Sequence, residues 1–232
     1  RLRTVTGVQT CALPICATQS FSVIVLDTQP DFLLNLGTTQ LLSGASGSLP
    51  LALRSGAALT NIHWVVAVQS DRLTNLALQA LAPEVVSADF VALGSNRFDA
   101  RFRSRPDATL QGDLVLAQLA FDTVSNGPSS VARLTGELLT GARASSAVPL
   151  NGNAARGRVF LISREPILDG TITNNRQMAL DLYGLPGKRY ALQRRLGVGP
   201  TNAWSLVEVV APTNLKTTLP PLPATAPAEF FR

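Results

Sequence analysis

The sequence is short of most residues that do chemistry. In 232 residues it holds one histidine, His63, two lysines, Lys188 and Lys216, and two cysteines, Cys11 and Cys16. A lone histidine cannot supply the several imidazoles of a typical zinc site, and the cysteines lack Cys-x-x-Cys spacing and further ligands. No apolar run approaches the roughly eighteen residues that span a bilayer, so no membrane span is expected. Charged residues make up only 15% against 46% apolar, which excludes a disordered tail or a coiled coil. His63 has no Ser–His–Asp context and reads as a strand-face histidine. Asp89, Asp99, Asp107 and Asp113 are scattered through turns and strands, and nothing draws two of them together as a carboxylate pair. Asp27 and Asp31 fall far short of the six to eight oxygens that calcium needs. No catalytic, cofactor-binding or metal-ligating residue is assigned, no cofactor is expected, and the chain reads as a non-enzyme.

Basic charge is present but is a weak guide. The sequence pI is near 10.0 and the net charge +5, carried almost wholly by arginine. Arg1 and Arg3 contribute two of those charges, and +3 is ordinary solubility charge. The aromatic–basic signatures of RNA-binding modules are missing, so nucleic acid is not an expected partner.

Short apolar alternation broken by Gly, Asn, Asp, Ser and Pro predicts an all-β protein. Leu49, Leu51 and Leu53 share a face, as do Ile62, Trp64, Val66 and Val68, and later Ala117, Leu119 and Phe121. DFVALGSNRFDARFRSR reads as a hairpin turning at Gly94-Ser95-Asn96. Its return strand sets Phe98, Ala100 and Phe102 against Arg101, Arg103 and Arg105. SSVARLTGELL and RGRVFLI supply further strands, separated by the Gly/Asn-rich VPLNGNAARG. Only TNLALQALAPEVV has helical spacing, enough for at most a short turn. Turn signals every ten or so residues favour a jelly-roll-like antiparallel sandwich over βαβ units. A small C-terminal β-module follows. RQMALDLYG and KRYALQRR read as one hairpin around Gly184–Gly187, AWSLVEVV and NLKTTL as a second pair, and the closing EFFR as returning to pair or pack.

From about Leu34 to Ile162 the order of features resembles the cohesin-like β-sandwich family. LLSGASGSLPLAL matches its opening strand, Gly/Ser turn and Val-Pro-Val-x-Leu-type strand. VVAVQSDRLTNLAL, with Asp71 and Leu73, matches the central strand that ends in an acidic turn and a leucine. GDLVLAQLAFDTV matches a later Gly-x-Leu-Ala-x-Ile-x-Phe strand at Leu116, Ala117, Leu119 and Phe121, and RGRVFLI the closing glycine-led strand. The tyrosine and proline of the family's acidic turn are missing, and no partner-binding face carries over residue by residue. The resemblance implies a jelly-roll-like fold and a non-catalytic binding role.

The flanks resemble parts of large secreted bacterial proteins. ATQSFSVIVLD looks like the last strand of an immunoglobulin- or cadherin-like domain. VTGVQTCALPI (Val5–Ile15) is the translation of the reverse complement of a standard short-read sequencing adapter. Residues 1–16 are therefore expected to be a non-native scar, unstructured or loosely attached. Residues 17–31 would be a truncated last strand without a sheet of its own plus its linker, 32–163 the cohesin-like sandwich, 164–175 a linker, and 176–232 the C-terminal module. The expected setting is a fragment of a secreted or cell-surface bacterial protein, its signal peptide not in this fragment. The expected partner is another protein module or a polysaccharide, for association, adhesion or spacing. The alternative is an accessory region of a carbohydrate-active or other hydrolase whose catalytic domain lies upstream.

One surface feature points to a site. Arg101, Arg103 and Arg105 fall on one strand face about 7 Å apart, and like charges so spaced need an acidic neighbour or an anionic ligand. They are the candidate partner or anionic-ligand face. Tyr183, Tyr190, Trp204, Phe230 and Phe231 could stack on sugars, but a module this small needs its aromatics for a core.

Overall fold

The structure, a computed structural model, describes residues 2–8, 20–26, 30–69, 71–173, 177–197, 203–223 and 229–232, and is all-β over them. β1 (Leu2–Val8) and β2 (Ser20–Leu26) pair antiparallel from Leu2↔Leu26 to Val8↔Ser20 and join no other sheet among the described residues. This corrects the expectation that the N-terminal segment is unstructured and that the strand after it has no sheet. Thr4, Val5, Thr6 and Val8 are β-branched, and such a run forms a strand wherever a partner edge is offered. Residues 9–19, with both cysteines, lie outside the described residues.

The sandwich comprises β3 (Phe32–Leu36), β4 (Thr38–Leu42), β5 (Ser46–Leu59), β6 (Asn61–Val68), β7 (Leu73–Ala80), β8 (Val85–Gly94), β9 (Arg97–Ser104), β10 (Leu110–Thr123), β11 (Ser130–Arg143), β12 (Ser146–Ala155) and β13 (Gly157–Ile162). The strand order β7-β10-β5-β3-β12-β11-β6-β9-β8 runs from one layer into the other, with β4 pairing β13. β12, where the sequence reads as a Gly/Asn-rich separator, is the strand that joins the layers. It pairs antiparallel with β11 and parallel with β3. Gly152 permits this crossing, because a Cβ there would sit 2.6 Å from both Leu139 Cδ2 and Phe32 Cζ.

The period-two leucines behave as the pleat requires. Leu49, Leu51, Leu53, Ile62, Trp64, Val66 and Val68 all point into one core, closed by Phe102, Leu119, Phe121 and Leu134. A bulge between Val115 and Ala117 turns two successive residues, Leu116 and Ala117, inward. TNLALQALAPEVV contains no helix: Leu73–Ala80 pairs with β10, with Asn75 at φ 51°. Its leucines, placed as a helix would have them, are equally apolar on a strand, and the β10 edge decides between the two. The turn between β8 and β9 has Ser95 and Asn96 both at positive φ, 48° and 64°, the geometry of a type I′ hairpin.

The C-terminal part comprises β14 (Ile167–Ile172), β15 (Gln177–Tyr183), β16 (Tyr190–Leu196), β17 (Ser205–Val210), β18 (Lys216–Thr218), β19 (Leu222–Pro223) and β20 (Glu229–Phe231). Its pairing differs from expectation. β15 pairs with β14, β18 and β19, whereas β16 pairs with β17 and β20, so the expected hairpin partners lie in different sheets. β14 lies within the segment read as a linker, and it pairs along its whole length with β15. Two small sheets facing each other bury Leu180, Leu182, Leu192, Val210 and Leu219, which a single run of hairpins could not do. EFFR does return: Arg194↔Phe231 registers β20 on β16, and Phe231 packs against that core.

The two parts meet at a third cluster of Phe160, Ile162 and Tyr183. The Phe160 and Tyr183 rings stack with centroids 3.8 Å apart, and Arg158 Nη1 lies 2.8 Å from Asp169 Oδ2.

Candidate binding face

The outer surface of β8-β9-β6-β11 carries the arginines. Directly opposed residues in antiparallel strands share a face, so the ladder registers define rows across it. One row is Ser87–Arg103–Asn61–Ala142, the next Asp89–Arg101–His63–Thr140, and the third Val91–Asp99–Val65–Leu138. Arg101 and Arg103 lie in β9. Arg105 follows its end, its main-chain N–H donating to Glu84 O at 2.8 Å. All three side chains are exposed.

The middle of this face is a polar network that sequence reasoning did not assemble. Asp99 is 8% exposed although it points outward. His63 Nε2 lies 2.7 Å from Asp99 Oδ1, and Arg101 Nη2 lies 2.7 Å from Asp99 Oδ2 with Nε donating to the same oxygen at 3.0 Å. Oδ1 has no other polar partner among the described residues, so the buried carboxylate is satisfied when the His63 tautomer has its proton on Nε2. His63 is thus a strand-face histidine, as read, with a structural partner. Farther along, Arg97 Nε lies 2.6 Å from Glu137 Oε2, and Glu137 sits in the β11 bulge between Gly136 and Leu138. The acidic partner of Arg101 comes from its own strand, two residues earlier, while that of Arg97 comes from β11.

Around this network the face is open and partly apolar. Val91 is 58% and Leu138 46% exposed, at the two ends of the row that contains Asp99. A depression of about 250 Å³ lies among Asn61, His63, Arg101 and Arg103. Fixed arginines beside exposed aliphatics, with most charges already paired, is the anatomy of a protein-binding patch. The opposite layer offers a groove of about 530 Å³, but its one ion pair, Arg54 with Asp113 at 3.8 Å, is about four-fifths exposed on both sides. Asp31 Oδ2 accepts from Asn151 N–H at 3.1 Å, and among the described residues no His, Cys, Asp and Glu cluster could hold a metal.

The C-terminal aromatics are largely used internally. Tyr183 is buried against Phe160, Tyr190 Oη accepts from Leu185 N–H at 2.9 Å, and Trp204 lies under Arg232. Phe230 is 41% exposed.

No family model matches the sequence, and no curated protein matches it significantly. Solved structures do. The CaCohA2 cohesin of Clostridium acetobutylicum, solved in complex with a dockerin, aligns with TM-score 0.51 at 16% identity over 56% of this chain and 99% of that one. The cohesin of a type I cohesin–dockerin complex from Clostridium thermocellum aligns with TM-score 0.51 at 10% identity, over 59% and 97%. The seventh ScaB type I cohesin from Pseudobacteroides cellulosolvens gives 0.50 at 12%, over 59% and 95%. The β-sandwich has the cohesin fold. Whole cohesins are covered, so the match is to a complete sandwich, and identities this low speak for the fold alone.

Proposed function

We propose that this chain is a non-catalytic protein-binding module whose cohesin-like sandwich holds a second protein on the β8-β9-β6-β11 face. The observation that carries the reading is the coupling of that fold to the Asp99-centred network flanked by exposed Val91 and Leu138. Relatives in fold were solved in complex with dockerins, which makes a dockerin-type module the first partner to try. Arg103 and Arg105, exposed at one end of the face, favour an acidic counterpart. A polysaccharide is less favoured, because the Tyr183 ring is stacked on Phe160 and the Trp204 ring is covered by Arg232. The setting we infer is extracellular, in a larger bacterial protein, with sandwich boundaries near 32–163 and a module that begins with β14 at about 167 and runs to 232.

Titration calorimetry of the whole chain against a panel of purified dockerins tests this. Saturable binding to one member is expected, and Leu138→Asp should weaken it at least about ten-fold, the loss of one well-packed interface side chain. An Arg103→Ala/Arg105→Ala double variant should slow association and flatten its salt dependence. Absence of binding across the panel would leave the sandwich a spacer, and reproducible hydrolytic turnover by the pure chain would overturn the non-enzyme reading.

A further inference from the structure

The C-terminal module contains a space its own side chains do not fill. A pocket of about 260 Å³ opens between its two small sheets, walled by Leu168, Leu182, Leu192, Val210, Leu219 and the ring of Tyr190, with Arg232 at its rim. Four of these aliphatics belong to the module's small buried core, so the pocket reaches into that core. Unfilled apolar volume is destabilising, and a module with so small a core has little to spare. Apolar cavities of comparable size stay dry and take up apolar ligands.

Arg232 adds a fixed charge. Its main chain exchanges both hydrogen bonds with Gln193: Gln193 N–H donates to Arg232 O at 2.8 Å, and Arg232 N–H donates to Gln193 O at 3.1 Å. Its Nε–H donates to Gln193 Oε1 at 2.8 Å, and its guanidinium carbon lies 4.3 Å from the Trp204 ring centroid. Stacking and the Nε bond set the plane of the guanidinium, and neither uses the Nη edge. No carboxylate is paired with it among the described residues, and a guanidinium so held is a ready fork for an anion.

We propose that this pocket binds a small amphiphilic anion, a carboxylate on a short hydrocarbon body. Its hydrocarbon lies against Leu182, Leu192 and Leu219 and its carboxylate meets the Arg232 fork. This site is independent of the sandwich face, in a different sheet pair.

Sodium octanoate and uncharged 1-octanol, titrated separately into the whole chain by calorimetry, read the two halves of the site. Octanoate should bind saturably one-to-one, and octanol about ten-fold or more weaker, the worth of one charge-assisted contact. Arg232→Ala should bring octanoate down to the octanol value and leave octanol unchanged, and Arg232→Lys should fall between. Leu168 stands opposite Leu182 on the pocket wall and is half-buried, so Leu168→Trp should fill the space and block both ligands, with the melting temperature reporting that the module stays folded. Absence of saturable octanoate binding overturns the proposal. So does equal affinity for the two probes, or binding that Leu168→Trp leaves intact.

Discussion

The sandwich and the C-terminal module are built from the same alternating strands but hold together in different ways. The sandwich buries one continuous cluster from Phe32 to Leu161, with Trp64, Phe32, Phe102 and a row of leucines almost wholly inaccessible. The module buries five aliphatics, leans on Tyr183 and Phe160 at the junction, and keeps an apolar pocket. Length makes the difference: a long sheet folded on itself encloses an interior, whereas two three- to four-stranded sheets barely cover one. The module therefore depends on its neighbour and on polar contacts at its margin, where the sandwich depends chiefly on packing.

The strongest way to break the comparison is at Trp64. Its side chain is fully buried at the centre of β6. Trp64→Ala should cost the sandwich about 3–5 kcal/mol, the range for losing a large buried aromatic, seen as a lower urea midpoint. Trp64 Nε1 has no hydrogen-bond partner among the described residues, so Trp64→Phe forfeits volume but no bond and should cost distinctly less. A module transition that moves as far as the sandwich transition in Trp64→Ala would show that the two parts share one cooperative core.

The junction sharpens the same question. Phe160 and Tyr183 stack nearly parallel, 7° between planes, one from each part. Phe160→Ala and Tyr183→Ala combined in a double-mutant cycle should show a coupling of about 1 kcal/mol, typical of a buried aromatic pair. Either single change should lower the module's transition more than the sandwich's. A coupling near zero would make the stacking incidental and the module self-supporting.

The same contrast governs what could be read in the sequence. Leu49, Leu51, Leu53 and Trp64 announce their strands because each lies on a face whose every other residue is buried, and period two then fixes orientation. β12 escaped because its role is topological: nothing in VPLNGNAARG says that it must pair with β11 and β3 together. In the module β14 reads as linker in the sequence, and β15 and β16 read as partners, since Gly184–Gly187 looks like a hairpin turn whether its strands pair with each other or leave for opposite sheets. At the candidate face the arginines are legible as a ladder, but Asp99 reads as one of several scattered aspartates. A signal existed: Asp99 stands two residues before Arg101, on the same strand face. Only the β6–β9 register, placing His63 opposite Arg101, adds the third member.

The smallest expected effect lies at the module's margin and separates it from the sandwich by pH. Lys216 Nζ lies 3.0 Å from Asp181 Oδ2, and Thr218 Oγ1 donates to Asp181 Oδ1 at 2.6 Å. Burial opposes ionisation of Asp181, but the Thr218 and Lys216 hydrogen bonds outweigh it and hold its pKa below the ordinary carboxylate value. The hydrogen bond to Asp181 in turn raises Lys216, and burial raises Tyr183. A depressed carboxylate stabilises the fold above its unfolded pKa, about 3.9, and that contribution fades as pH falls through the folded value. The raised Lys216 and Tyr183 contribute fully below about pH 10, and their share fades as pH rises through their folded values. The module should therefore lose stability at both extremes, most visibly below pH 4. Because the pair is substantially exposed, the total should stay under about 1 kcal/mol. Asp181→Asn should flatten the acid limb of the module's melting-temperature profile and, in a Trp204→Phe background where Trp64 is the sole tryptophan, leave the fluorescence of the sandwich where it was. An unchanged acid limb would show that Asp181 does not carry the module's pH sensitivity.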